Sequence, residues 1–508
     1  MPDQARSGLV YLVGAGPGDP ELITAKGVRC IAAADVLVYD YLASKDLLAH
    51  MGPGCEPIYV GKQGGDHTLS QDQINRLILD KARLGKVVTR LKGGDPFIFG
   101  RGGEEAEILA EAGIPFEIVP GVTSAIAAAA YAGIPLTHRE HTSTVAFVTG
   151  HEDPLKRESS IDWGSLAKIG TLVFFMGVKN LPHIVRMLLE NGRGEKTPAA
   201  LIRWGTTSRQ RTVTGTLADI AERAREAGIK APAIIVVGEV VALRDKLHWF
   251  ERRPLLGRRI VVTRARAQAS DLVQRLSGLG AECIEVPTIQ VVAPERWQAM
   301  DDAVAALPRY HWLVFTSVNG VQYFFSRLFA CGLDARALGH IRTAAIGPAT
   351  AACLRRYGVN TDIMPRTYQA ESVVEAFSRE PMGGKRVLLP RAKEARPVLP
   401  EALRRMGAEV DEVVAYQTVQ DGGRADELLT ALQARDIDMI TFTSSSTVHN
   451  FHALLPSGRS KELLEGVTIA CIGPITAETA RHLGLQVHIA AETFTIDGLC
   501  QAIVQHYT

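Results

Sequence analysis

The sequence predicts an α/β protein built in two halves, and three observations support this. In the first half, apolar strand-like runs alternate with segments of helical periodicity, which favours sheets of mostly parallel strands flanked by helices. A charged stretch ending in Pro254 then indicates a connection between domains. The second half contains an internal repeat. We therefore predict domains at residues 1–250 and 257–508, joined by a linker at 251–256.

The clearest strands of the first half are short apolar runs. They lie at residues 9–13, 36–39, 87–91, 116–119 and 145–149, and 233–241 is the last strong strand. Residues 71–84 have apolar positions at helical spacing and predict a helix. We expect this half to divide into two α/β subdomains near residues 120–140.

The second half consists of two similar copies. Residues 257–265 match 384–392, residues 279–286 match 406–413, and Phe315 aligns with Phe442, all at one constant separation along the chain. Residues 346–350 match 472–476 at a separation that is shorter by a single position. A repeat of this length, with several strands and helices in each copy, predicts two duplicated α/β lobes rather than a solenoid. Two such lobes usually leave a cleft, which is the default ligand site.

Composition restricts the class of protein. The 508 residues are 46% hydrophobic and 22% charged, with a formal net charge of +1. This is ordinary for a soluble enzyme and argues against nucleic acid or an anionic membrane as partner. The seven cysteines form no CxxC motif, so we expect neither a disulfide framework nor a metal site. The polar N-terminus and the lack of a long apolar stretch predict a cytoplasmic protein.

A glycine-rich segment, RLKGGDPFIFGRGGEE at residues 90–105, is the most informative part of the chain. It follows a strand-like run, and Gly93 and Gly94 let the backbone approach a ligand with no Cβ in the way. Asp95 offers an acceptor, and residues 97–99 offer an apolar wall. The acidic pair at 104–105 is typical of a helix start. The same pattern is compatible with a strand-to-helix loop that binds nothing.

A second loop, VGAGPGDP at residues 13–20, follows the first strand. A dinucleotide fingerprint would need glycine at position 19, where Asp19 stands, and no Gly-Lys-Ser/Thr closes a phosphate loop. Because Asp19 would repel phosphates, the loop suits a cationic or zwitterionic ligand better.

With these loops, PGVTS at 120–124 and GIPLTHR at 133–139 make the first half resemble the uroporphyrinogen-III C-methyltransferases. The resemblance implies two α/β domains that bind S-adenosylmethionine in the cleft between them, in a homodimer that methylates two pyrrole carbons to give precorrin-2. It implies Asp40 as proton acceptor and Lys62 as proton donor, which fits a reaction that places charge on the macrocycle. Without it, Asp40 is compatible with a strand-end turn or helix cap, and Lys62 with a solvated loop.

The resemblance also implies contacts to S-adenosylmethionine. These fall on Pro17, Gly93, Gly94, Asp95, Ile98, Thr123, Ser124, Met176 and Gly205. Met176 rests on the resemblance alone, since a methionine after an apolar run is usually part of a core. Two positions depart from the family: Ala25 replaces a larger aliphatic residue, and Tyr41 stands where an arginine is common.

The second half resembles the uroporphyrinogen-III synthases. The similarity rests on the repeat and on VAYQT at 414–418, FTSSS at 442–446 and IGPIT at 472–476. It implies that the lobes exchange segments, with residues 257–288 joining the lobe completed after Tyr416. It also implies closure of hydroxymethylbilane with inversion of the last ring and loss of water, a reaction that mainly requires a folded conformer to be held.

Tyr416 is the candidate for assisting departure of the hydroxyl group. Its repeat partner is Ile289, so the two lobes differ there; an exposed strand tyrosine is the alternative. Hydroxyl side chains are expected to bind substrate carboxylates: Thr443, Ser444, Ser446 and Thr476. Serine and threonine at strand ends are also ordinary helix caps.

Basic residues on the first-half motifs suit an acid-rich substrate, because arginine pairs with carboxylates through a two-pronged fork. Arg90, Arg101 and Arg139 are the candidates for substrate binding. A surface charge is the simpler interpretation of any one of them, so the hypothesis concerns the group.

We conclude from the sequence that the chain combines a synthase for uroporphyrinogen III with a methyltransferase that converts it to precorrin-2. The product of one half would be the substrate of the other. The alternative is a methyltransferase for another corrinoid whose second half binds a tetrapyrrole without catalysis. The sequence leaves open whether the product serves sirohaem, cobalamin or haem d1 formation.

Overall fold

The computed structural model describes residues 8–61, 69–151, 160–263, 266–287, 289–365, 367, 370–420 and 423–508. The chain forms two compact units: Met1–Arg258 with Leu276–Glu282 and Tyr507–Thr508, and Arg259–Arg275 with Cys283–His506. The described residues form four five-stranded sheets, two before residue 258 and two after it, which confirms the predicted α/β class. Within the described ranges, no helix has both the length and the apolar composition needed to cross a membrane.

The first sheet is parallel throughout, in the order β3-β2-β4-β1-β5. Its elements are β1 (Leu9–Gly14), α1 (Ala25–Ala32), β2 (Val36–Tyr39), β3 (Glu56–Tyr59), α2 (Gln71–Arg83), β4 (Val87–Lys92), α3 (Gly102–Glu111), β5 (Phe116–Val119) and α4 (Ser124–Tyr131). Successive residues of β1 pack into different cores, with Leu12 on one face and Val13 on the other. Both faces are therefore covered, as expected for a parallel sheet.

The second sheet has the order β6-β7-β10-β8-β9. Its elements are β6 (Val145–Thr149), α5 (Trp163–Leu166), β7 (Thr171–Phe175), α6 (Leu181–Glu190), β8 (Pro198–Arg203), β9 (Arg211–Thr216), α7 (Ile220–Glu226), β10 (Ala233–Val237) and α8 (Arg244–Leu247). Among these strands only β6 and β7 pair in parallel; the other three pairings are antiparallel.

Two predictions for this sheet were wrong. Mostly parallel pairing, predicted for this half as a whole, holds in the first sheet and fails in the second: the short connection at 204–210 makes the β8–β9 pair antiparallel, and β10 runs antiparallel to both of its neighbours. The predicted strand at 233–241 ends at Val237, because Gly238, at φ +150°, turns the chain into a 3-10 helix at Glu239–Leu243.

After residue 258 the chain forms the remaining two sheets. The elements are β11 (Arg259–Val262), α9 (Arg266–Gly278), β12 (Glu282–Glu285), β13 (Ile289–Val292), α10 (Gln298–Ala305), β14 (Trp312–Phe315), α11 (Val318–Ala330), β15 (Arg342–Ala345), α12 (Pro348–Arg356), α13 (Ala370–Phe377), β16 (Arg386–Ala392), α14 (Val398–Arg405), β17 (Glu409–Gln420), α15 (Ala425–Gln433), β18 (Met439–Phe442), α16 (Ser445–Leu454), α17 (Ser460–Leu463), β19 (Thr468–Cys471), α18 (Pro474–His482), β20 (Ile489–Ala490) and α19 (Ile496–Tyr507). Their strand orders are β12-β11-β18-β19-β20 and β13-β17-β16-β14-β15.

The element boundaries reproduce the sequence repeat. Strands β14 and β18 begin at equivalent positions of the two copies, as do helices α11 and α16, whereas β15 and β19 begin closer together by a single position. The exchange of segments is also confirmed: β11 pairs with β18 of the other copy, and β16 pairs with β14. Each lobe is therefore completed by strands from both copies of the repeat.

Candidate active site

The loops after β1, β4 and β5 meet at the carboxyl edge of the first sheet, because its strands run parallel. The β1 and β4 loops are joined by a backbone bridge: the Gly94 amide donates to the Gly16 carbonyl at 2.6 Å, and the Gly16 amide donates to the Gly94 carbonyl at 3.2 Å. The amide of Ala15 donates to the carbonyl of Lys92 at 2.7 Å. Two of the glycine loops singled out in the sequence thus form one structure.

Three glycines allow this close approach. A Cβ on Gly121 would lie 2.3 Å from the Gly94 carbonyl oxygen, and a Cβ on Gly14 would lie 2.5 Å from the Cα of Gly121. Gly94 itself has φ +69°, which favours glycine. We call Gly14, Gly94 and Gly121 the glycine junction; no larger residue fits Gly14 or Gly121 without moving backbone.

Asp95 fastens the junction. Its Oδ1 accepts the amides of Phe97 at 2.8 Å and Ile98 at 3.1 Å, and its Oδ2 accepts the amide of Gly121 at 3.0 Å. Each carboxylate oxygen therefore already has a backbone donor. The predicted acceptor holds the β4 loop against the β5 loop.

The loop after β1 contacts the second subdomain of the same unit. The backbone amide of Asp19 donates to Thr206 Oγ1 at 3.0 Å, and the Asp19 carboxylate accepts the hydroxyl of Tyr131 at 2.8 Å. Burial, followed by this hydrogen bond to a carboxylate, raises the pKa of Tyr131. Gly205 lies against helix α4, where a Cβ would be 2.3 Å from the Cβ of Ala128.

Backbone strain is concentrated around these loops. Outside glycine, the positive φ angles of the described residues fall on Phe99, Arg101, Met176, Trp204, Thr206 and Arg435. All but the last lie on the β4 loop or on the loops after β7 and β8 of the second sheet. Such conformations cost energy and occur preferentially at functional sites, which supports this region as the site.

Apolar and aromatic side chains lie on the loops around this edge of the first sheet. Phe99 packs on Phe175 with ring centroids 5.0 Å apart, and Tyr41 meets Trp204 edge-on at 5.7 Å. A pocket of about 570 Å³ is lined by Pro96, Phe97, Phe99, Arg101, Gly102, Gly103, Glu104, Glu107 and Met176. Met176 is exposed and lines this pocket, so it does not lie in the core that its sequence context suggests.

Asp40, the predicted proton acceptor, follows β2 at the same edge. Its Oδ1 accepts the amide of Leu42 at 3.0 Å, and its Oδ2 accepts Arg90 Nη2 at 2.8 Å. The strand-end turn that the sequence allowed is therefore present together with an ion pair. Lys62, the predicted proton donor, lies outside the described residues.

Arg90 does not occupy the exposed position expected of a substrate-binding residue. It is 3% exposed and contacts Asp40, Glu105 and the carbonyl of Leu91. Lys92, two residues further along β4, donates to Glu105 Oε1 at 2.7 Å. Burial and the nearby Arg90 charge lower the pKa of Lys92.

Arg101 and Arg139 are exposed, as substrate-binding cations should be. Arg101 forms a two-pronged pair with Glu104, at 2.8 and 2.6 Å, beside the pocket. Arg139 lies in a turn closed by backbone hydrogen bonds between His138 and Thr142. His138, Glu140 and His141 converge in this turn, but the Nδ1 of His138 accepts the Glu140 amide at 3.2 Å.

The contacts predicted for S-adenosylmethionine fall on five loops of the first unit. Pro17 lies after β1, Gly93, Gly94, Asp95 and Ile98 after β4, Thr123 and Ser124 at the start of α4, Met176 after β7, and Gly205 after β8. Direct contacts join the loops after β1, β4 and β5 to one another. The loop after β8 is joined to them by the Asp19–Thr206 hydrogen bond and by the close approach of Gly205 to Ala128. The structure therefore brings most of this set together.

In the second unit, Tyr416 is buried on strand β17 and is 8% exposed. Its hydroxyl is 2.9 Å from Ser317 Oγ, and its ring stacks on Tyr323 with centroids 5.9 Å apart. Burial raises its pKa, and the Ser317 hydrogen bond opposes this in part. The exposed strand tyrosine that the sequence left open is wrong.

The hydroxyl residues of the other lobe lie where β18 and β19 end. Ser444 caps helix α16: its Oγ accepts the amide of Thr447 at 3.3 Å, and the Thr447 hydroxyl is positioned to accept the Ser444 amide. Ser446 contacts the Ser444 hydroxyl at 2.9 Å. Thr443 is half-buried before the helix, and Thr476 is buried in the first turn of α18. Ser444 is therefore a helix cap, as the alternative interpretation of these hydroxyl residues predicts.

Sequence reasoning missed several residues of these sites. The sequence marks Glu105 only as a helix start, and the shared strand face of Arg90 and Lys92 does not say which acid pairs with them. Ser317 is the repeat partner of Ser444 and could have been found from the constant separation of the two copies. Tyr131 and Thr206 carried no local signal.

Family comparisons agree with this division. The family "Tetrapyrrole (Corrin/Porphyrin) Methylases" matches residues 9–221, and "Uroporphyrinogen-III synthase HemD" matches residues 270–501. The porphyrin biosynthesis protein HemD of Ruminiclostridium josui is 39% identical over 98% of either chain. The chain belongs to both families, fused in one polypeptide.

Other proteins each match one half of this fused methylase–synthase. The S-adenosyl-L-methionine-dependent uroporphyrinogen III methyltransferase of Methanosarcina barkeri is 57% identical over 47% of this chain and 94% of its own. A crystal structure of uroporphyrin-III C-methyl transferase from Thermus thermophilus, complexed with S-adenyl homocysteine, is 42% identical over 46% of this chain and all of its own, with a TM-score of 0.40. The crystal structure of a mutant uroporphyrinogen III synthase from the same organism is 20% identical over 49% of this chain and 98% of its own, with a TM-score of 0.37.

Proposed function

We propose that this protein converts hydroxymethylbilane to uroporphyrinogen III in its second half and methylates that product to precorrin-2 in its first half. The observation that carries the proposal is the glycine junction at the carboxyl edge of the first sheet, in a chain 57% identical to a uroporphyrinogen III methyltransferase over this half. The relatives named for uroporphyrinogen III make another corrinoid less favoured as acceptor. We retain the domain limits 1–250, 251–256 and 257–508.

S-adenosylmethionine is the proposed methyl donor, and the residues present fit it. The backbone at Gly94, where a Cβ would meet nothing closer than 3.8 Å, admits a ligand close to main-chain donors and acceptors, whereas the missing Cβ atoms of Gly93 and Gly121 make room for Leu42 and the Gly94 carbonyl. The exposed Met176 and Ile98 offer apolar contacts, and Pro17, Thr123, Ser124 and Gly205 complete the set. The bound donor supplies an electrophilic methyl group. The chain needs only to orient it and exclude water.

Asp40 is the proposed proton acceptor for the methylated macrocycle. Two donors fix its side chain at the sheet edge, and about a quarter of that side chain is exposed to receive a proton. Lys62 is the proposed proton donor. Arg101 and Arg139 are the proposed partners of substrate carboxylates, because both are exposed and arginine binds carboxylates through paired hydrogen bonds.

In the second half, Tyr416 is the proposed group that assists loss of the hydroxyl from hydroxymethylbilane. Its contact with Ser317 and its stacking on Tyr323 support a fixed orientation. Thr443, Ser444, Ser446 and Thr476 are the proposed carboxylate binders, at the ends of β18 and β19. Closure joins the two terminal rings and releases one water molecule.

We also propose that the protein is a homodimer through its methylase half and is cytoplasmic. Large apolar side chains exposed around the methylase site support an interface there: Tyr41, Leu42, Phe97, Phe99 and Met176. Light scattering after size exclusion should give twice the chain mass of 54.9 kDa. A mass of one chain would reject the dimer.

Two separate assays test the activities. Hydroxymethylbilane alone should give the type-III isomer in excess over the type-I product that forms spontaneously. Uroporphyrinogen III with S-adenosylmethionine should gain two methyl groups. If the type-III isomer does not exceed the spontaneous background, the synthase assignment is rejected; if no methyl group is transferred, the methylase assignment is rejected.

A further inference from the structure

A group of four charged side chains lies behind the carboxyl edge of the first sheet. Arg90 Nη2 donates to Asp40 Oδ2 at 2.8 Å, and Arg90 Nε lies 3.4 Å from Glu105 Oε1. The same Glu105 oxygen accepts Lys92 Nζ at 2.7 Å and Gln71 Nε2 at 3.0 Å. The side chains of Arg90, Lys92 and Glu105 are 4%, 5% and 1% exposed, whereas that of Asp40 is 25% exposed.

This arrangement is costly to fold. Burying an ion pair generally loses as much solvation as it gains in attraction, so such groups are poor candidates for stability alone. Glu105 Oε2 is buried without a hydrogen-bond partner among the described residues, which adds to the cost. The network is therefore better explained by what it does to its one exposed member, Asp40.

We propose that Arg90 is a positioning residue for Asp40, anchored from behind by Glu105 and Lys92. The inference rests on the proposed methylation and deepens it. The carboxylate of Asp40 is held at both oxygens, by the Leu42 amide in front and by Arg90 from behind. The guanidinium is planar, and Glu105 fixes its other side. Asp40 thus keeps one orientation towards the site.

The network also assigns different roles to four basic residues. Arg101 and Arg139 are exposed to solvent, whereas Arg90 and Lys92 are buried and both contact Glu105. A positioning role for Arg90 predicts that its removal affects turnover and leaves substrate affinity almost unchanged. A substrate-binding role predicts the opposite, a rise in KM.

A double-mutant cycle in the full-length protein tests the proposal. Arg90→Gln should lower kcat for methylation by about 10- to 100-fold when Asp40 is present, and by less than about twofold in an Asp40→Asn background. KM for uroporphyrinogen III and the Kd for S-adenosylhomocysteine should change by less than about threefold in both. Lys81→Gln, which breaks the exposed pair with Glu56 on the same sheet, is the matched control and should be neutral.

Arg90→Lys keeps the proposal testable if Arg90→Gln does not fold. Lysine retains the charge but not the fork, so kcat should lie between those of the wild type and Asp40→Asn, again with no effect in the Asp40→Asn background. Losses that multiply in the double variant would show that Arg90 acts independently of Asp40 and overturn the proposal. A wild type that transfers no methyl group rejects the proposed function and this inference together.

Discussion

At the scale of single residues, the account depends first on Asp40. Asp40→Asn retains the size and the turn but removes the base, so methylation should slow by about 10²- to 10⁴-fold, the usual contribution of a positioned acid or base. Binding of S-adenosylhomocysteine, measured by calorimetry, should not change. Asp80→Asn, an exposed aspartate of helix α2, is the control. Equal turnover of wild type and Asp40→Asn would leave Asp40 as a turn residue.

Tyr416 makes the corresponding prediction for the synthase. Tyr416→Phe removes the contact with Ser317 and should cost about 1 kcal/mol of stability, while type-III formation falls by at least about tenfold. Tyr323→Phe loses a hydrogen bond to the Val291 carbonyl and is the matched control. A Tyr416→Phe protein as active as this control would contradict the role.

The pH dependence of the synthase follows from the same side chain. Burial raises the pKa of Tyr416 above its usual value near 10. The phenol therefore stays protonated through neutral and mildly alkaline pH and loses its proton only above that range. Between pH 7 and 9, ionisation of Tyr416 should therefore not slow type-III formation. Any fall in rate over this range should appear equally in the wild type and in Tyr416→Phe. A fall that is present in the wild type and absent from Tyr416→Phe would mean that the phenol ionises in this range.

At the scale of loops and strands, the glycine junction makes the sharpest prediction. Gly121→Ala would put a Cβ 2.3 Å from the Gly94 carbonyl, so the β4 and β5 loops must separate. We expect S-adenosylhomocysteine affinity to fall by at least about tenfold, or 1.4 kcal/mol. Gly194→Ala is the control, since its Cβ would meet nothing closer than 3.8 Å. Undiminished affinity in Gly121→Ala would exclude the junction from the binding site.

Ser444 combines a cap with a proposed substrate contact, and two substitutions separate these roles. Ser444→Ala should cost about 1 kcal/mol of stability through loss of the cap on α16. Ser444→Asp keeps a good cap but places a negative charge near the substrate carboxylates, so stability should persist while KM for hydroxymethylbilane rises. Unchanged KM in Ser444→Asp would make Ser444 a cap only.

At the scale of the whole molecule, the sequence predicted the duplicated lobes of the second half and the alternation of strands and helices in the first. The constant separation of the two copies located β14 and β18, and the resemblance predicted that residues 257–288, which contain β11, join the other lobe. The antiparallel second sheet was not predictable from apolar runs, because strand direction depends on how connections return the chain. Nor was the burial of Arg90, because a charged residue in a strand gives no sign of an acid supplied fifteen positions later.

One incubation tests the central claim, that two successive reactions occur in one chain. The purified protein receives hydroxymethylbilane and S-adenosylmethionine, and the products are separated by isomer and mass. We predict a type-III macrocycle carrying two added methyl groups, with the methyl groups lost in Asp40→Asn and the isomer excess lost in Tyr416→Phe. A product that is mainly type I, or type III without methyl groups, would contradict the account.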